Sequence, residues 1–308
     1  VMKLHFIGVY AGYPQKNHTT TGFCLELDNG ALYLFDCPEN TQSILGQLSL
    51  PLERIHAIFI SHMHMDHVAG LIPLLQTTFV KDKSSVMKLF GPASIQNYVN
   101  FNFQLTYGSD IPSTFQIFEV EDGFKAQLSH FSLQTKKIKH VVPSFGYLLE
   151  FPGSESINYA RLREAGFPFG LEIKKIRAKQ NVEADGKIFN YQDYYDVIQP
   201  IRLAFCLDCS FDDYFTDLDY LVTELTFLDQ DDMAEKTGHT CLAMLKNGLA
   251  KIKVQKLILS HFSQRWAHFD NQEASHCQFA KTHKFQGYDF EFEIETAMAV
   301  PKCHCILK

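Results

Sequence analysis

The chain has 308 residues, 46% hydrophobic and 13% aromatic. That is enough to bury a large core, and α/β chains of this length commonly run as one domain. The formal net charge of −7 spreads no positive field for a polynucleotide, which weighs against such a substrate unless a local basic patch lies inside the average. Residues 1–8 lack the long apolar segment after a basic start that secretion needs, and no later apolar run reaches roughly eighteen residues, so a soluble cytoplasmic protein without membrane contact is expected.

In chain order, Lys3 to Gly8, Gly22 to Leu27 and Ala31 to Phe35 are short apolar or alternating stretches that predict an opening β-meander. Asp28-Asn29-Gly30 supplies the tight turn, and the polar loop from Tyr13 to Thr21 is long enough to reach a site. Thr41 to Leu48 reads as a short helix. His56 to Ile60 is a continuous apolar strand of the kind buried on both faces, and it runs directly into Ser61-His62. Helices are predicted over Val68 to Thr78 and Ser94 to Phe103, and strands over Val86 to Phe90 and Phe115 to Val120. Between Pro152 and Pro200 several glycines and prolines break the pattern, which predicts an arm leaving the core of a single domain spanning 1–308. Ile201 to Leu207 and Leu257 to Ser260 follow as buried strands, with a helix from Cys241 to Ala250 between them.

Eight cysteines are scattered along the chain and read as reduced thiols. Cys206 and Cys209 form a lone C-x-x-C, and Cys303-His304-Cys305 lies near the end. Either could bind a soft metal or do redox chemistry, but packing explains them better.

The densest chemical signal is Ser61-His62-Met63-His64-Met65-Asp66-His67, three imidazoles and one carboxylate within six residues at the end of an apolar strand. Alternate residues of such a turn face one side, so His62 and His64 can hold one metal while Asp66 and His67 hold a second. Imidazole with carboxylate suits Zn²⁺, with Mn²⁺ or Fe²⁺ as alternatives. Further ligands are sought among polar residues that end apolar strands: His140, Asp208 and His261 qualify, although His130 competes with His140 on composition. The division expected is His62, His64 and His140 for the first metal, Asp66, His67 and His261 for the second, and Asp208 between them. Two metals about 3.5 to 4 Å apart would share a water and bring its pKa toward neutrality, which suits phosphodiester hydrolysis. Asp66 is placed to accept a proton from that water or to orient it.

At these residues the chain resembles the metallo-β-lactamase superfamily and, within it, the ribonuclease Z family. Phe35-Asp36-Cys37-Pro38-Glu39-Asn40-Thr41-Gln42 is similar to that family's Phe-Asp-Cys-Gly-Glu-Gly-Thr-Gln, and Ser61 to Gly70 matches its metal motif. His140 to Glu150 matches a further motif, which selects His140 over His130, and Leu257 to Trp266 is close to the family's Leu-Thr-His-Phe-Ser-x-Arg-Tyr. Glu224-Leu225-Thr226-Phe227 and Gly238-His239-Thr240 resemble two more segments, which implies that His239, assisted by Glu224, stands over the scissile phosphate and donates a proton or stabilises charge. Departures are visible as well. Cys209 follows Asp208 where the family has Thr, Thr223 stands in place of a His, and Pro38 and Asn40 replace two glycines. Gly166 to Glu172 only partly matches the basic Gly-Pro-rich arm that grips tRNA, although Lys174, Lys175, Arg177, Lys179 and Lys187 still supply cations. Pro14 to His18 echoes a segment that closes over substrate.

The resemblance implies an αββα sandwich, two packed mixed β-sheets with helices on the outer faces, with two Zn²⁺ at one edge and a homodimeric assembly. The activity implied is removal of 3′ extensions from precursor tRNA. A small phosphodiester such as a cyclic nucleotide is the competing substrate, and a degenerate binding protein is the non-enzymatic alternative.

Overall fold

The structure is a computed structural model, and it describes residues 2–14, 19–81, 86–228, 230–264 and 304–307. The described chain falls into two compact units. One contains residues 1–128, 132–149 and 202–308, the other residues 129–131 and 150–201.

The larger unit is built on two sheets. The first is formed by β1 (Met2–Gly8), β2 (Gly22–Glu26), β3 (Leu32–Phe35), β4 (Ile55–Phe59), β5 (Met87–Gly91), β6 (Phe115–Glu119) and β17 (His304–Leu307), in the order β17-β1-β2-β3-β4-β5-β6. β1 to β3 are the predicted antiparallel meander, and β3 to β6 run parallel. The second is formed by β7 (Lys125–Gln127), β8 (Ser132–Ile138), β9 (Ser144–Phe151), β14 (Ile201–Cys206), β15 (Leu218–Glu224) and β16 (Val254–Ser260), in the order β16-β15-β14-β9-β8-β7. β14, β15 and β16 are parallel neighbours.

The alternation along β3 and β4 explains the layering, because successive residues of a strand face opposite sides. Leu32, Leu34, Ile58 and Ile60 join a cluster with Leu45 of α1 (Thr41–Gln47), Leu71, Leu74 and Leu75 of α3 (Leu71–Val80), and Ile95, Val99 and Phe103 of α4 (Ile95–Tyr107). Their neighbours Phe35 and Phe59 point the other way. Phe35 stacks on Phe205 of β14 with centroids 3.6 Å apart, and Phe59 meets Tyr147 of β9 at 5.4 Å, so the two sheets close on an aromatic seam. A buried ring is worth about 1.5–3 kcal/mol in transfer free energy, and a well-oriented ring pair roughly 0.5–1.5 kcal/mol beyond that. On the second sheet, β15 and β16 are linked through α7 (Asp231–Thr237) and α8 (Leu242–Leu249), whose Leu245 and Leu249 are buried.

One predicted helix is divided. In place of a single helix over Val68 to Thr78 there are α2 (Met65–Val68) and α3, interrupted at Gly70. Gly70 donates its N–H to the Cys37 carbonyl, and a Cβ there would lie 2.1 Å from the Pro38 carbonyl oxygen. The close approach of the 37–38 backbone therefore requires glycine and breaks the helix. Other boundaries differ from expectation by a few residues, and β15 is a strand that the sequence pattern does not predict.

The smaller unit has two hairpins, β10 (Ser154–Ile157) with β13 (Tyr195–Ile198) and β11 (Val182–Ala184) with β12 (Lys187–Phe189), together with α5 (Tyr159–Glu164) and α6 (Ile173–Arg177). They enclose a core of Leu162, Phe167, Ile176, Val182 and Phe189. The predicted arm residues 152–200 fall within this unit. Among the described residues, no helix is long and apolar enough to cross a membrane.

Candidate metal centre

The candidate side chains sit where strands end. Asp36 follows β3, His62 lies just past β4, Asp208 two residues past β14, and His261 immediately past β16. Asp36, Asp208 and His261 take φ of 57°, 50° and 56°. Backbone in this region costs free energy for a non-glycine residue and persists where the surroundings over-determine it.

Two clusters result, and a third group of Asp208, His239 and His261 overlaps them. His62, His64, His140 and Asp208 present ligand atoms all within 4.8 Å of one another, as do Asp66, His67 and His261. Asp208 stands between the clusters: Oδ2 lies 3.6 Å from Nε2 of His62, and Oδ1 lies 3.3 and 3.2 Å from Nε2 of His67 and His261. The competing His130 belongs to neither cluster.

Four of the five candidate imidazoles, those of His62, His67, His140 and His261, are aimed by a partner on the outer nitrogen. His67 Nδ1 donates to Asp36 at 2.6 Å, and His140 Nδ1 donates to the Gly238 carbonyl at 2.9 Å. Ser61 spends its hydroxyl proton on Asp36, so its oxygen accepts from His62 Nδ1 at 3.0 Å. Thr226 likewise donates to Glu224 and accepts from His261 Nδ1 at 2.9 Å. With Nδ1 protonated in all four, the lone pair is on Nε2. The Nε2 atoms of His62, His67, His140 and His261 and the Oδ1 of Asp208 are buried without a hydrogen-bond partner. Buried polar atoms left unpaired are costly, and five of them converging on one place fit a cation.

Electrostatics point the same way. Asp36, Asp208 and Glu224 are fully or almost fully buried and Asp66 is partly so, and their ion-pair partners among the described residues are imidazoles. Burial and the neighbouring rings of His67, His64 and His140 hold His62 well below its ordinary value. Burial acts against a charged His67, yet Asp208 and Asp36 push it well above the ordinary value, so positive charge is favoured at that spot. Burial also opposes ionisation of Asp66, but His261 and His67 hold its carboxyl far below the usual carboxylate range.

His239 lies beside both clusters, its ring 4.9 Å from His140 and 5.1 Å from His261. Its Nδ1 is 3.1 Å from Glu224, which also accepts from the Cys209 amide. Burial disfavours the imidazolium, but Glu224 outweighs it and raises His239 to about 9. His64, Asp66, Asp208, His239 and His261 open onto a cleft of about 430 Å³.

The other sequence candidates take different places. Cys206 and Cys209 are buried free thiols, both pushed upward by burial. Cys303 lies outside the described residues, as do Gln15 to His18 of the N-terminal loop and Arg265-Trp266 of the last motif. Cys305 falls on β17. In the smaller unit Lys175 pairs with Glu172 at 2.7 Å, Lys179 pairs with Glu155, Arg177 donates to the Tyr159 hydroxyl, and Lys187 donates to the Ala165 carbonyl.

The chain is similar to several known proteins. The family model described as Anti-Pycsar protein Apyc1 matches residues 2–160. A ribonuclease Z of Listeria monocytogenes serotype 4a (strain HCC23) is 30% identical over 275 residues, covering 86% of this chain and 90% of that protein. The chain belongs to the ribonuclease Z family. A ribonuclease BN of Erwinia tasmaniensis is similar at 29% identity, over 94% of this chain and 98% of that one. The crystal structure of the human tRNase Z short form superposes with a TM-score of 0.61 at 22% identity, covering 86% of this chain and 94% of that chain. The metallo-β-lactamase-fold protein YhfI of Bacillus subtilis gives 0.57 at 20% identity, over 85% and 86%. The fold is therefore the metallo-β-lactamase αββα sandwich. By the Apyc1 match, residues 2–160 also belong with that family.

Within the ribonuclease Z family, the departures noted in the sequence have structural counterparts. Asn40 replaces a glycine at φ 66°, and asparagine is among the few residues that tolerate this region. Pro38 packs its ring on Gly22, where a Cβ would be 2.6 Å away. Cys209 serves through its backbone, its N–H donating to Glu224 and its carbonyl accepting from Thr240. Thr223 donates to the Cys206 carbonyl at 2.8 Å, which closes the β14–β15 edge. Four partners of the centre, Ser61, Thr226, the Gly238 carbonyl and the Gly12 amide, receive no role from the sequence, although Ser61, Thr226 and Gly238 lie inside the motifs quoted for it. Two are backbone groups, which no residue type advertises.

Proposed function

We propose that this protein is a metal-dependent endoribonuclease of ribonuclease Z type that removes 3′ extensions from precursor tRNA and leaves a 3′-hydroxyl. The carrying observation is the convergence of unpaired Nε2 atoms and the Asp208 carboxylate on two adjoining clusters, in a chain of this family. We assign His62, His64 and His140 to one zinc ion and Asp66, His67 and His261 to the other, with Asp208 shared. Zinc suits the nitrogen and oxygen donors, and manganese or iron would be accepted by the same set. When bound, the metals would supply a water of near-neutral pKa and neutralise charge on the phosphoryl oxygens.

The chain's own groups do the rest. Asp66, kept ionised, accepts the water's proton or orients it toward the phosphorus. His239, held protonated by Glu224, donates from its other nitrogen to the leaving 3′ oxygen, and Glu224 fixes the ring for that transfer. Thr226 joins Glu224 to His261, so proton donor and metal ligand share one support. The net negative charge is no obstacle, because an average does not describe a patch, and the smaller unit carries exposed Lys174, Lys175 and Arg177 on one short helix. Homodimerisation and a cytoplasmic location belong to the same reading, and size-exclusion chromatography checks the first.

The test is cleavage of a 3′-extended precursor tRNA by zinc- or manganese-loaded protein, beside a chromogenic phosphodiester and His64→Ala. One cut next to the discriminator base, lost in the variant, is expected. Turnover of the chromogenic ester with the precursor left whole would replace this reading with a small-phosphodiester hydrolase.

A further inference from the structure

The N-terminal loop enters the cleft through a turn with unusual geometry. Tyr13 donates its N–H to the Ala11 carbonyl two residues back, at 3.0 Å, and Gly12 between them has φ of 79°. This is a three-residue γ-turn with positive φ at its centre, a rare and strained form that glycine tolerates. A Cβ at Gly12 would meet nothing within 4 Å, so packing does not explain the glycine. Four further bonds hold the turn. Ala11 donates to the Phe262 carbonyl at 3.0 Å, and the Gln264 amide reaches the carbonyls of Ala11 and Tyr13 at 3.3 and 2.7 Å. The Gly12 N–H donates to Asp66 Oδ2 at 2.9 Å, the same oxygen that faces His67 and His261.

The outcome is a backbone fixed at the edge of the centre with an aromatic ring left open. Tyr13 is 63% exposed and lines the cleft with His64, His239 and Phe227, of which Phe227 is buried. An exposed ring on a pinned backbone offers a flat apolar face at small entropic cost. A phosphodiester in the centre brings nucleosides on either side of the bond. Base stacking on an aromatic side chain is sequence-tolerant, since every base has a π-face.

We propose that the Ala11–Gly12–Tyr13 turn is a working part of the site, with the Tyr13 ring as the stacking surface for the nucleobase beside the scissile phosphodiester. This rests on the proposed function, since it presumes a nucleotide substrate. Tyr13 then sets substrate affinity, while the Gly12 amide steadies Asp66.

The test compares wild type, Tyr13→Ala and Tyr13→Phe on 3′-extended precursor tRNA. Removing the ring under one stacked base predicts a rise in KM of about 5- to 100-fold for Tyr13→Ala, with kcat within about threefold and Tyr13→Phe close to wild type. A second readout needs no turnover. In an His64→Ala background that leaves the RNA whole, 2-aminopurine placed on either side of the cut should be quenched on binding, and Tyr13→Ala should abolish that quenching. An unchanged KM with unchanged quenching overturns the inference. If wild type leaves the precursor uncut but hydrolyses a cyclic nucleotide, the tRNA reading has failed while the inference is still decided: a KM for the cyclic nucleotide unmoved by Tyr13→Ala overturns it, and a raised one supports it.

Discussion

The metal centre and the smaller unit use charge in opposite ways. At the centre, carboxylates are buried and their ion-pair partners are imidazoles, so the region is incomplete without a cation. In the smaller unit, lysines and arginines stay exposed and satisfy themselves locally, as Lys179 does with Glu155 and Arg161 with Asp196 around a small apolar core. Buried charge fixes position to fractions of an ångström and is expensive to disturb. Exposed charge is cheap, interchangeable and suited to a substrate backbone. Mutational effects should follow that division.

The strongest expected effect comes from Asp208→Ala, because this carboxylate touches both clusters. Removing it should lower precursor cleavage by about 10³-fold or more, the scale of several kcal/mol of electrostatic stabilisation. Bound metal, counted by elemental analysis, should fall in the same preparation. Full metal content with full activity would show that the clusters are not the working centre. Next in size is Asp36→Asn, one layer out. Asp36 is hydrogen-bonded to His67 and to Ser61, which in turn supports His62. Losses at such outer partners run to about 10- to 100-fold in metal affinity or activity. An activity titration against zinc should show the shift, whereas an unchanged titration would mean that His67 needs no carboxylate behind it.

Charge reversal in the smaller unit should act more gently and differently. Lys174→Glu with Lys175→Glu is expected to raise KM for precursor tRNA severalfold, and to reduce the slope of log affinity against log salt by about one for each phosphate that is no longer neutralised. Turnover of a chromogenic phosphodiester should stay at the wild-type rate. A matching loss on both substrates would mean that these lysines support the fold rather than the substrate.

How much of the molecule is legible in its sequence follows from the same contrast. The 62–67 cluster announces itself because its four ligand candidates fall within six residues, and Asp208 and His261 because each ends an apolar strand. Composition does not separate His140 from His130, and the family motif decides between them. Asp36 stands out only as part of that motif. Its role comes from a positive φ that turns the carboxylate under Ser61 and His67, 25 and 31 residues away in sequence. β8 is hidden because buried positions are interrupted by the exposed Lys136 and Lys137, and β15 because Asp219, Tyr220, Thr223 and Glu224 break its apolar run. In the smaller unit, Phe167 and Phe169 look alike in sequence, yet Phe167 is core and Phe169 is 45% exposed. Short hairpins with local pairing leave no periodic signal to read.

The smallest effect tests how far the rigidity of the centre extends along its own loop. Asn40 lies four residues after Asp36, is exposed, and holds φ of 66° at the start of α1 without a side-chain cap bond. Asn40→Gly relieves the left-handed backbone but adds freedom to the unfolded chain, and the two terms oppose each other at roughly 0.5–1 kcal/mol each. Chemical denaturation should therefore find it within about 0.5 kcal/mol of wild type, with activity unchanged. Asn40→Val meets the same angle with a branched Cβ and should lose about 1–2 kcal/mol. If Val proved as neutral as Gly, the backbone at residue 40 would be free to leave the left-handed region. The constraint that holds Asp36 beneath the histidines would then end within the three residues between them.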